Sequence, residues 1–221
     1  MTGVKLAPSM MCSDFVELRP ELDLFEKTDI EFLHMDIMDG HYVPNFTLGP
    51  GFCKRLGEYS PIPLDIHLMI ENVDAYVESF AISKGTYLSF HPEAIYHPLR
   101  TIDLIKSFGV VPGIAIDTST TLDSVRHLLP AVKFVCLMTV NPGYAGQTIV
   151  PGMIEKIIEI REICLRDNLD IEIEVDGNVS WKNIPGMVAA GATTLVLGSS
   201  SLYDGAEMKD NIAKLRTMTG K

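Results

Sequence analysis

Short apolar runs alternate with amphipathic stretches of helical length along the whole of this 221-residue sequence. Eight apolar runs have the length and the β-branched content of strands, and a helical stretch follows each one. Such alternation builds a parallel sheet with right-handed crossovers, which leaves either a closed barrel or an open doubly wound sheet. The predicted strands are residues 5–9, 32–37, 64–69, 86–90, 111–116, 133–139, 171–175 and 194–197.

Eight repeats of strand and helix favour one α/β domain over residues 1–221, a (β/α)8 TIM barrel with eight parallel strands. The open doubly wound sheet is the alternative. It usually has fewer strands, and no Gly-x-Gly-x-x-Gly motif follows the first strand here. No linker or low-complexity segment divides the chain. The predicted helices lie near residues 16–27, 50–58, 72–83, 98–108, 121–128, 152–167, 181–190 and 207–217.

The charge of the chain narrows the classes of partner. Eighteen basic and 29 acidic residues give a formal net charge of −11. A nucleic acid or an anionic membrane requires a basic face, so we expect neither as a partner. No window has the roughly 20 apolar residues of a membrane helix, and residues 1–11 lack the apolar core of a signal peptide. We therefore expect a cytoplasmic protein, whose backbone amides could still bind a small anion.

Ionisable side chains gather where three of the predicted strands end. In a parallel barrel the carboxyl ends of the strands meet at one mouth, where the chemistry of such folds takes place. Residues two apart on a strand share a face, so these side chains are expected to converge. Two imidazoles and two carboxylates at one mouth would suit a divalent metal ion and leave room for a bidentate substrate. The ionisable residues at these strand ends are His34, Asp36, Asp65, His67 and Asp176.

Motifs spread over most of the chain resemble those of the ribulose-phosphate 3-epimerase family. The most specific is HMDIMDGHYVPN at residues 34–45, and MTVNPGYAGQ follows at 138–147. Shorter matches are APSM at 7–10, HLM at 67–69, VDG at 175–177 and GS at 198–199. The resemblance implies a TIM barrel that inverts carbon 3 of a ketose phosphate through an enediolate, with one divalent metal ion.

Specific residues inherit expected roles from this resemblance. His34, Asp36, His67 and Asp176 are expected to bind the metal, and Asp36 and Asp176 are expected to be the acid and the base. Zinc is the first choice because the general affinity order places it above manganese, and Mn, Fe, Co and Mg are alternatives. The residues expected at the substrate are Ser9, Met38, His67, Met69 and Met138, and those expected at its phosphate are Gly143, Gly146, Gly177, Asn178, Gly198 and Ser199.

Within the family, the sequence is most similar to the D-allulose-6-phosphate 3-epimerase branch. The similar features are HPE at 91–93, Ala145 and EIEVDG at 172–177. Pentulose-phosphate enzymes typically have a second glycine where this chain has Asn178, and Asn-Pro-x-Thr where it has DTST at 117–120. We therefore expect interconversion of D-allulose 6-phosphate and D-fructose 6-phosphate. The alternative is interconversion of D-ribulose 5-phosphate and D-xylulose 5-phosphate. The resemblance also implies a homo-oligomer, a dimer or a dimer-based hexamer.

Two rival functions have different sequence requirements. Related barrels that decarboxylate use an Asp-x-Lys-x-x-Asp strand, and an aldolase needs a Schiff-base lysine at a strand end. Here the equivalent strand has no lysine, and Lys5 and Lys133 lie at the starts of strands. A ligand-binding barrel without catalysis would be expected to lack a metal ligand or a carboxylate. This sequence has all four of the expected metal ligands, including both carboxylates. His91 and Glu93 have no assigned role, because a substrate or metal-supporting function and a loop-capping function fit them equally.

Overall fold

The computed structural model describes residues 3–83 and 85–220. Eight parallel strands form one sheet in the order β1-β8-β7-β6-β5-β4-β3-β2. The first and last strands of this order also meet, because Ser9 bridges to His34 in parallel and the Phe32 amide donates to the Leu6 carbonyl. The predicted (β/α)8 barrel is confirmed, and the open-sheet alternative is wrong. The strands are β1 (Lys5–Pro8), β2 (Leu33–Met38), β3 (Leu64–Met69), β4 (Tyr87–Phe90), β5 (Val111–Ile116), β6 (Phe134–Met138), β7 (Glu172–Asp176) and β8 (Thr194–Leu197).

Helices surround this sheet, and two of them are much shorter than the sequence predicts. The stretch 72–83 forms a 3-10 turn and then one α-helical turn, and the backbone leaves the helical region at Ala81, whose ψ is 64°. The stretch 121–128 also yields one α-helical turn, and Pro130 follows it in a 3-10 turn. The helices are α1 (Leu18–Lys27), α2 (Pro50–Tyr59), α3 (Val77–Phe80), α4 (Pro98–Ser107), α5 (Leu122–Val125), α6 (Met153–Arg166), α7 (Ile184–Ala190) and α8 (Met208–Thr219).

Both faces of strands β2 and β3 are buried, but the two faces differ in chemistry. Leu33, Met35 and Ile37 belong to the main apolar core that lies between the sheet and the helices. His34 and Asp36, on the other face, are also buried. A parallel sheet covered by helices requires such burial on both sides. The polar face of β2 is therefore directed into the barrel.

Aromatic rings fill the barrel at the end where the strands begin. The Tyr87 ring lies 4.6 Å from that of Phe32 and 5.0 Å from that of Phe134, centroid to centroid. Lys5 extends over the Phe32 ring and forms an ion pair of 2.6 Å with Glu172. These residues precede or begin their strands, so the cavity of the barrel lies at the opposite end. None of the helices within residues 3–83 and 85–220 combines the length and apolar character needed to cross a membrane.

The contact between Gly113 and Phe134 tests the packing of this aromatic layer. A Cβ added at Gly113 would overlap with the Phe134 ring. We expect Gly113→Ala to lower the free energy of unfolding by about 1–3 kcal/mol, because overpacking a filled core forces neighbouring atoms to move. Urea denaturation followed by circular dichroism measures this change.

The matched control is Gly51→Ala, because no atom lies within 4 Å of the added Cβ. This variant should be as stable as the wild type or more stable, by up to about 1 kcal/mol. Replacing Phe134 by Leu should reduce the loss caused by Gly113→Ala. Equal losses in the two backgrounds would show that the ring is not the cause.

Candidate active site

Four ionisable side chains converge at the mouth of the barrel. His34 Nε2 lies 3.4 Å from Asp36 Oδ1, and His67 Nδ1 lies 3.7 Å from both Asp36 Oδ1 and Asp176 Oδ2. One ligand atom from each of the four residues lies within 4.8 Å of all the others. The sheet creates this proximity, because β2 and β3 pair with Asp36 opposite His67. The structure thus brings together the four residues expected to bind a metal.

The unpaired atoms of this group fit a divalent metal ion. His34 Nε2 and His67 Nδ1 are buried and have no hydrogen-bond partner. A buried polar atom without a partner costs about 1–3 kcal/mol. Two imidazole nitrogens and two carboxylates directed at one point are a common ligand set for divalent transition metals. His34, Asp36, His67 and Asp176 could therefore hold such an ion.

His34 is oriented by a second carboxylate. Its Nδ1 lies 2.6 Å from Asp65 Oδ2, and both side chains are fully buried. A proton on Nδ1 leaves the lone pair on Nε2, the atom that faces Asp36. Burial lowers the pKa of His34, but the carboxylates of Asp36 and Asp65 raise it well above its usual value. The carboxylates therefore attract a cation to this position, either a proton or a metal ion.

Glu174 is a second buried acid near His34 that the sequence analysis did not single out. Its Oε1 lies 3.9 Å from His34 Nδ1. Burial raises the pKa of Glu174 well above its usual value, and the negative charge of Asp65 raises it further. The protonated form of Glu174 is therefore favoured more than that of an exposed glutamate. Its position two residues before Asp176 on a strand could have indicated this inward orientation.

The two carboxylates expected to act as acid and base differ in protonation. Burial disfavours the charged form of Asp36, but His34 and His67 hold the pKa of this carboxyl well below its usual range. Burial, and then the charge of Asp36, raise the pKa of Asp176 to about 6. The hydroxyl of Ser9 also donates to Asp36 Oδ2 over 2.5 Å. One carboxyl is thus kept ionised while its neighbour retains a proton more readily.

His67 contacts another histidine behind the site. Its Nε2 lies 2.9 Å from Nε2 of His91, a fully buried residue that follows β4. His91 Nδ1 faces Glu93 Oε1 at 3.5 Å, and the Tyr42 ring packs against the His91 ring at 4.7 Å between centroids. Burial lowers the pKa of His91. His91 and Glu93 are therefore connected to the candidate metal site through His67.

A cavity that opens to solvent lies above the four ionisable residues. Asp36 and Asp176 line its floor, whereas His34 and His67 are fully buried beneath it. Asn141, Tyr144 and Ser200 also line the cavity and were not among the expected site residues. The expected residues that do line it are Ser9, Asp36, Met38, Met69, Met138, Gly143, Gly146, Asp176, Gly177, Asn178, Gly198 and Ser199.

Three methionines contribute to the apolar lining of this cavity. Met38 and Met69 are buried and pack together with Val43, and Met138 packs with Cys136 on the other side of the barrel. Thioethers are polarisable and adapt to irregular shapes. They provide a flexible, water-excluding wall beside the two carboxylates.

The loops after β6, β7 and β8 are joined by one asparagine. Asn178 has a φ of 43°, and its Nδ2 donates to the Gln147 carbonyl over 2.8 Å. Its Oδ1 accepts from Asn183 Nδ2 over 2.8 Å, and its Nδ2 also donates to Ser200 Oγ over 3.4 Å. No lysine or arginine lines the cavity among the residues that the structure describes. An anion here would be bound by backbone N–H groups and hydroxyls.

Comparison with known proteins agrees with this geometry. Residues 5–202 match the model of the Ribulose-phosphate 3 epimerase family. Ribulose-phosphate 3-epimerase from Helicobacter pylori is 42% identical over 196 residues, which cover 89% of each chain. The Bacillus subtilis enzyme of the same name is 39% identical over 214 residues, which cover 96% of this chain and 98% of the relative.

Solved structures with much lower sequence identity have the same fold. A mutant tryptophan synthase α-subunit from Pyrococcus furiosus superposes with a TM-score of 0.65 at 14% identity, with full coverage of both chains. Thiamine phosphate pyrophosphorylase from the same organism gives 0.61 at 13% identity, with 98% of this chain and 96% of the other covered. These likenesses show the barrel alone. The sequence relatives and the family model carry the assignment further, and the chain belongs to the ribulose-phosphate 3-epimerase family.

Proposed function

We propose that this protein is a metal-dependent 3-epimerase that interconverts D-ribulose 5-phosphate and D-xylulose 5-phosphate. The main supporting observation is that Asp36 and Asp176 line the floor of one cavity. Beside them lie two buried imidazole nitrogens that have no hydrogen-bond partner. The motifs led us to expect the hexulose phosphate, but relatives named ribulose-phosphate 3-epimerase at 37–42% identity favour the pentulose. The allulose branch cannot be distinguished by the shared motifs, so the hexulose becomes the competing substrate.

The reaction needs one group to remove the proton from carbon 3 and another to return a proton to the opposite face. Asp36 and Asp176 enter the cavity from β2 and β7, which are separated in the barrel by β1 and β8. Their pKa values are displaced in opposite directions. An ionised Asp36 can accept a proton while a protonated Asp176 supplies one, and the roles exchange in the reverse direction.

Removal of this proton places negative charge on the substrate oxygens. A divalent ion held by His34, Asp36, His67 and Asp176 would supply the positive charge that stabilises it. Met38, Met69 and Met138 exclude water from the same region, and a drier site strengthens each electrostatic interaction within it. Ser9, which donates to Asp36, fixes the direction of that carboxylate.

The phosphate of the substrate is proposed to lie at the loops after β6, β7 and β8. Gly177 is required in its loop because its φ is 102° and an added Cβ would contact Val140 at 2.5 Å. The same cavity is also lined by Gly143, Gly146, Asn178, Gly198 and Ser199. Backbone N–H groups of glycine-rich loops bind phosphate without a cationic side chain. This suits a chain with a net charge of −11.

The rival enzyme functions lack their key residue at this site. An aldolase or a decarboxylase of the kinds considered above requires a lysine, and the cavity has none among the described residues that line it. Lys5 instead pairs with Glu172 at the opposite end of the barrel. The cytoplasmic location and the homo-oligomeric state, a dimer or a hexamer, stay predictions.

The first prediction concerns the metal. Purified protein should contain one divalent ion per chain, and a chelator should abolish turnover until the ion is restored. His34→Ala or His67→Ala should weaken metal affinity by more than roughly 100-fold, because losing a mere supporting partner of a ligand already costs 10–100-fold. Elemental analysis and chelator competition measure this, and they also identify the metal among Zn, Mn, Fe, Co and Mg.

His127→Ala is the matched control for these variants, since His127 is an exposed histidine outside the site. It should keep full metal content and full activity. If His67→Ala also kept both, the proposed ligand set would be wrong.

The second prediction concerns the substrate. We expect kcat/KM for D-ribulose 5-phosphate to exceed that for D-allulose 6-phosphate by at least tenfold, about 1.4 kcal/mol in the transition state. One additional hydroxymethylene must otherwise fit between a fixed metal and a fixed phosphate site. A side-by-side assay of both substrates decides this. A tenfold preference for the hexulose phosphate would restore the alternative substrate while leaving the reaction type unchanged.

The third prediction concerns the two carboxylates. Asp36→Asn and Asp176→Asn should each stop epimerisation, because one face of the substrate loses its proton carrier. The remaining carboxylate should still exchange the carbon 3 proton with D2O in one epimer only, and the two variants should choose opposite epimers. Nuclear magnetic resonance of the recovered sugar phosphates measures this exchange. Metal occupancy is measured alongside, with added metal restoring it where it falls. Exchange into both epimers by a fully metallated variant would show a one-base mechanism or a different second base.

A further inference from the structure

The contact between His67 and His91 is not used by the mechanism above. His67 Nε2 lies 2.9 Å from His91 Nε2, and both rings are fully buried. His67 Nδ1, on the other side of its ring, lies 3.7 Å from Asp36 and from Asp176. One histidine therefore contacts the candidate metal site with one nitrogen and a second histidine with the other.

The positions of the protons follow from this geometry. Two neutral imidazoles that share a hydrogen bond have one proton between the two facing nitrogens. For His67 Nδ1 to bind a metal ion it must present a lone pair, so the proton of the ring lies on Nε2. His67 Nε2 then donates to His91 Nε2, which must be the unprotonated nitrogen of that ring. The proton of His91 consequently lies on Nδ1, which faces Glu93 Oε1 at 3.5 Å.

We propose that His91 is a positioning residue that accepts the N–H of His67 and thereby fixes the tautomer and the ring orientation of this metal-binding histidine. Glu93 Oε1, 3.5 Å from His91 Nδ1, favours a proton on that nitrogen through its negative charge. The proposal rests on the proposed function in one respect, that His67 binds a metal ion. It does not depend on which ketose phosphate is the substrate.

Contacts on every side hold His91 and Glu93 in this arrangement. The Tyr42 ring packs against His91, and the Thr120 hydroxyl donates to Glu93 Oε1 over 3.0 Å. The loop that carries Thr120 is held by Lys156 of α6, whose Nζ donates to the Thr120 carbonyl over 2.6 Å and to the Asp117 carbonyl over 2.7 Å. A continuous series of contacts thus runs from an outer helix to the metal site.

The two proposed metal-binding histidines, His34 and His67, have hydrogen-bond partners of different chemistry. His34 donates to the carboxylate of Asp65, whereas His67 faces an imidazole. Asp36 and Asp176 already lie beside His67, so a further carboxylate there would add like charge in a buried region. A neutral imidazole accepts the same hydrogen bond without that charge, and it moves the compensating carboxylate, Glu93, one ring farther from the metal.

A competing interpretation is a second metal site at His91, Glu93 and Asp117. Their ligand atoms lie within 4.8 Å of one another, and His91 Nδ1 is buried without a hydrogen-bond partner. A metal on His91 Nδ1 would place the proton on His91 Nε2, which would then donate to His67 Nε2. His67 Nδ1 would carry the proton of its ring and could not bind at the main site. The 2.9 Å contact therefore allows neutral imidazole ligation at one site but not at both, and the two unpartnered nitrogens favour the main site.

The test compares His91→Phe with His91→Gln. Phenylalanine preserves a ring against Tyr42 but cannot accept a hydrogen bond, whereas the glutamine carbonyl can accept from His67 Nε2. Zinc is the probe, titrated by chelator competition into protein stripped of metal, without substrate. We expect His91→Phe to weaken zinc binding by about 10–100-fold, and we expect His91→Gln to recover most of the loss. Thermal unfolding of the metal-free variants shows whether they fold.

A second measurement requires no substitution. Nitrogen-15 resonances of the imidazoles in the wild-type protein should show the proton of His67 on Nε2 and that of His91 on Nδ1. The opposite assignment would overturn the proposal. So would equal zinc affinity of folded His91→Phe and wild type, or two zinc ions per chain with one lost in Asp117→Asn. A wild type that binds no divalent metal would instead defeat the proposed function and this proposal with it, whereas the other outcomes contradict this proposal alone.

Discussion

The parallel register between β2 and β3 is the constraint on which the site depends. This register places His34 opposite Asp65 and Asp36 opposite His67. One set of pairings therefore provides both a candidate metal-binding imidazole with its orienting carboxylate and a carboxylate with its neighbouring imidazole. A slip of one residue would turn Leu33, Met35 and Ile37 into the barrel and the ionisable residues into the apolar core. The burial of both faces excludes that slip, so packing of the core fixes the geometry of the chemistry.

Buried charge is tolerated here because every ionisable group has a specific neighbour. Ser9 donates to Asp36, Asp65 accepts from His34, and His91 contacts His67. The neighbours leave two imidazole nitrogens unpaired on the side that faces the carboxylates. The group as a whole has an excess of carboxylates over cations, which favours a divalent ion between them. The two histidines lower the pKa of Asp36, whereas burial and the charge of Asp36 raise that of Asp176, which separates the two acids in the direction that two-base proton transfer needs.

Stability and function are assigned to opposite ends of the barrel. Phe32, Tyr87 and Phe134 pack at the end where strands begin, and the ion pair of Lys5 with Glu172 lies beside them. The cavity lies at the other end, where loops supply its walls. These loops are held by side chains that cross between them, such as Asn178 after β7 and Lys156 from α6. The division allows loop residues to determine the substrate without altering the packed layer beneath.

The sequence by itself determined the eight strands and their inward and outward faces, because a period of two on a buried strand is a local property. The set of four candidate ligands was implied by the resemblance to the family. The sequence did not determine the extent of the helices at 72–83 and 121–128, where apolar spacing correctly marks the buried face but the backbone completes only one α-helical turn. The raised pKa of Glu174 and the contact of His67 with His91 were also decided by tertiary structure alone. These features depend on the closure of the barrel and on the distance between side chains from different strands and loops. Hydrogen bonds and pKa shifts depend on the distance between these side chains, and residue spacing along the sequence does not predict that distance.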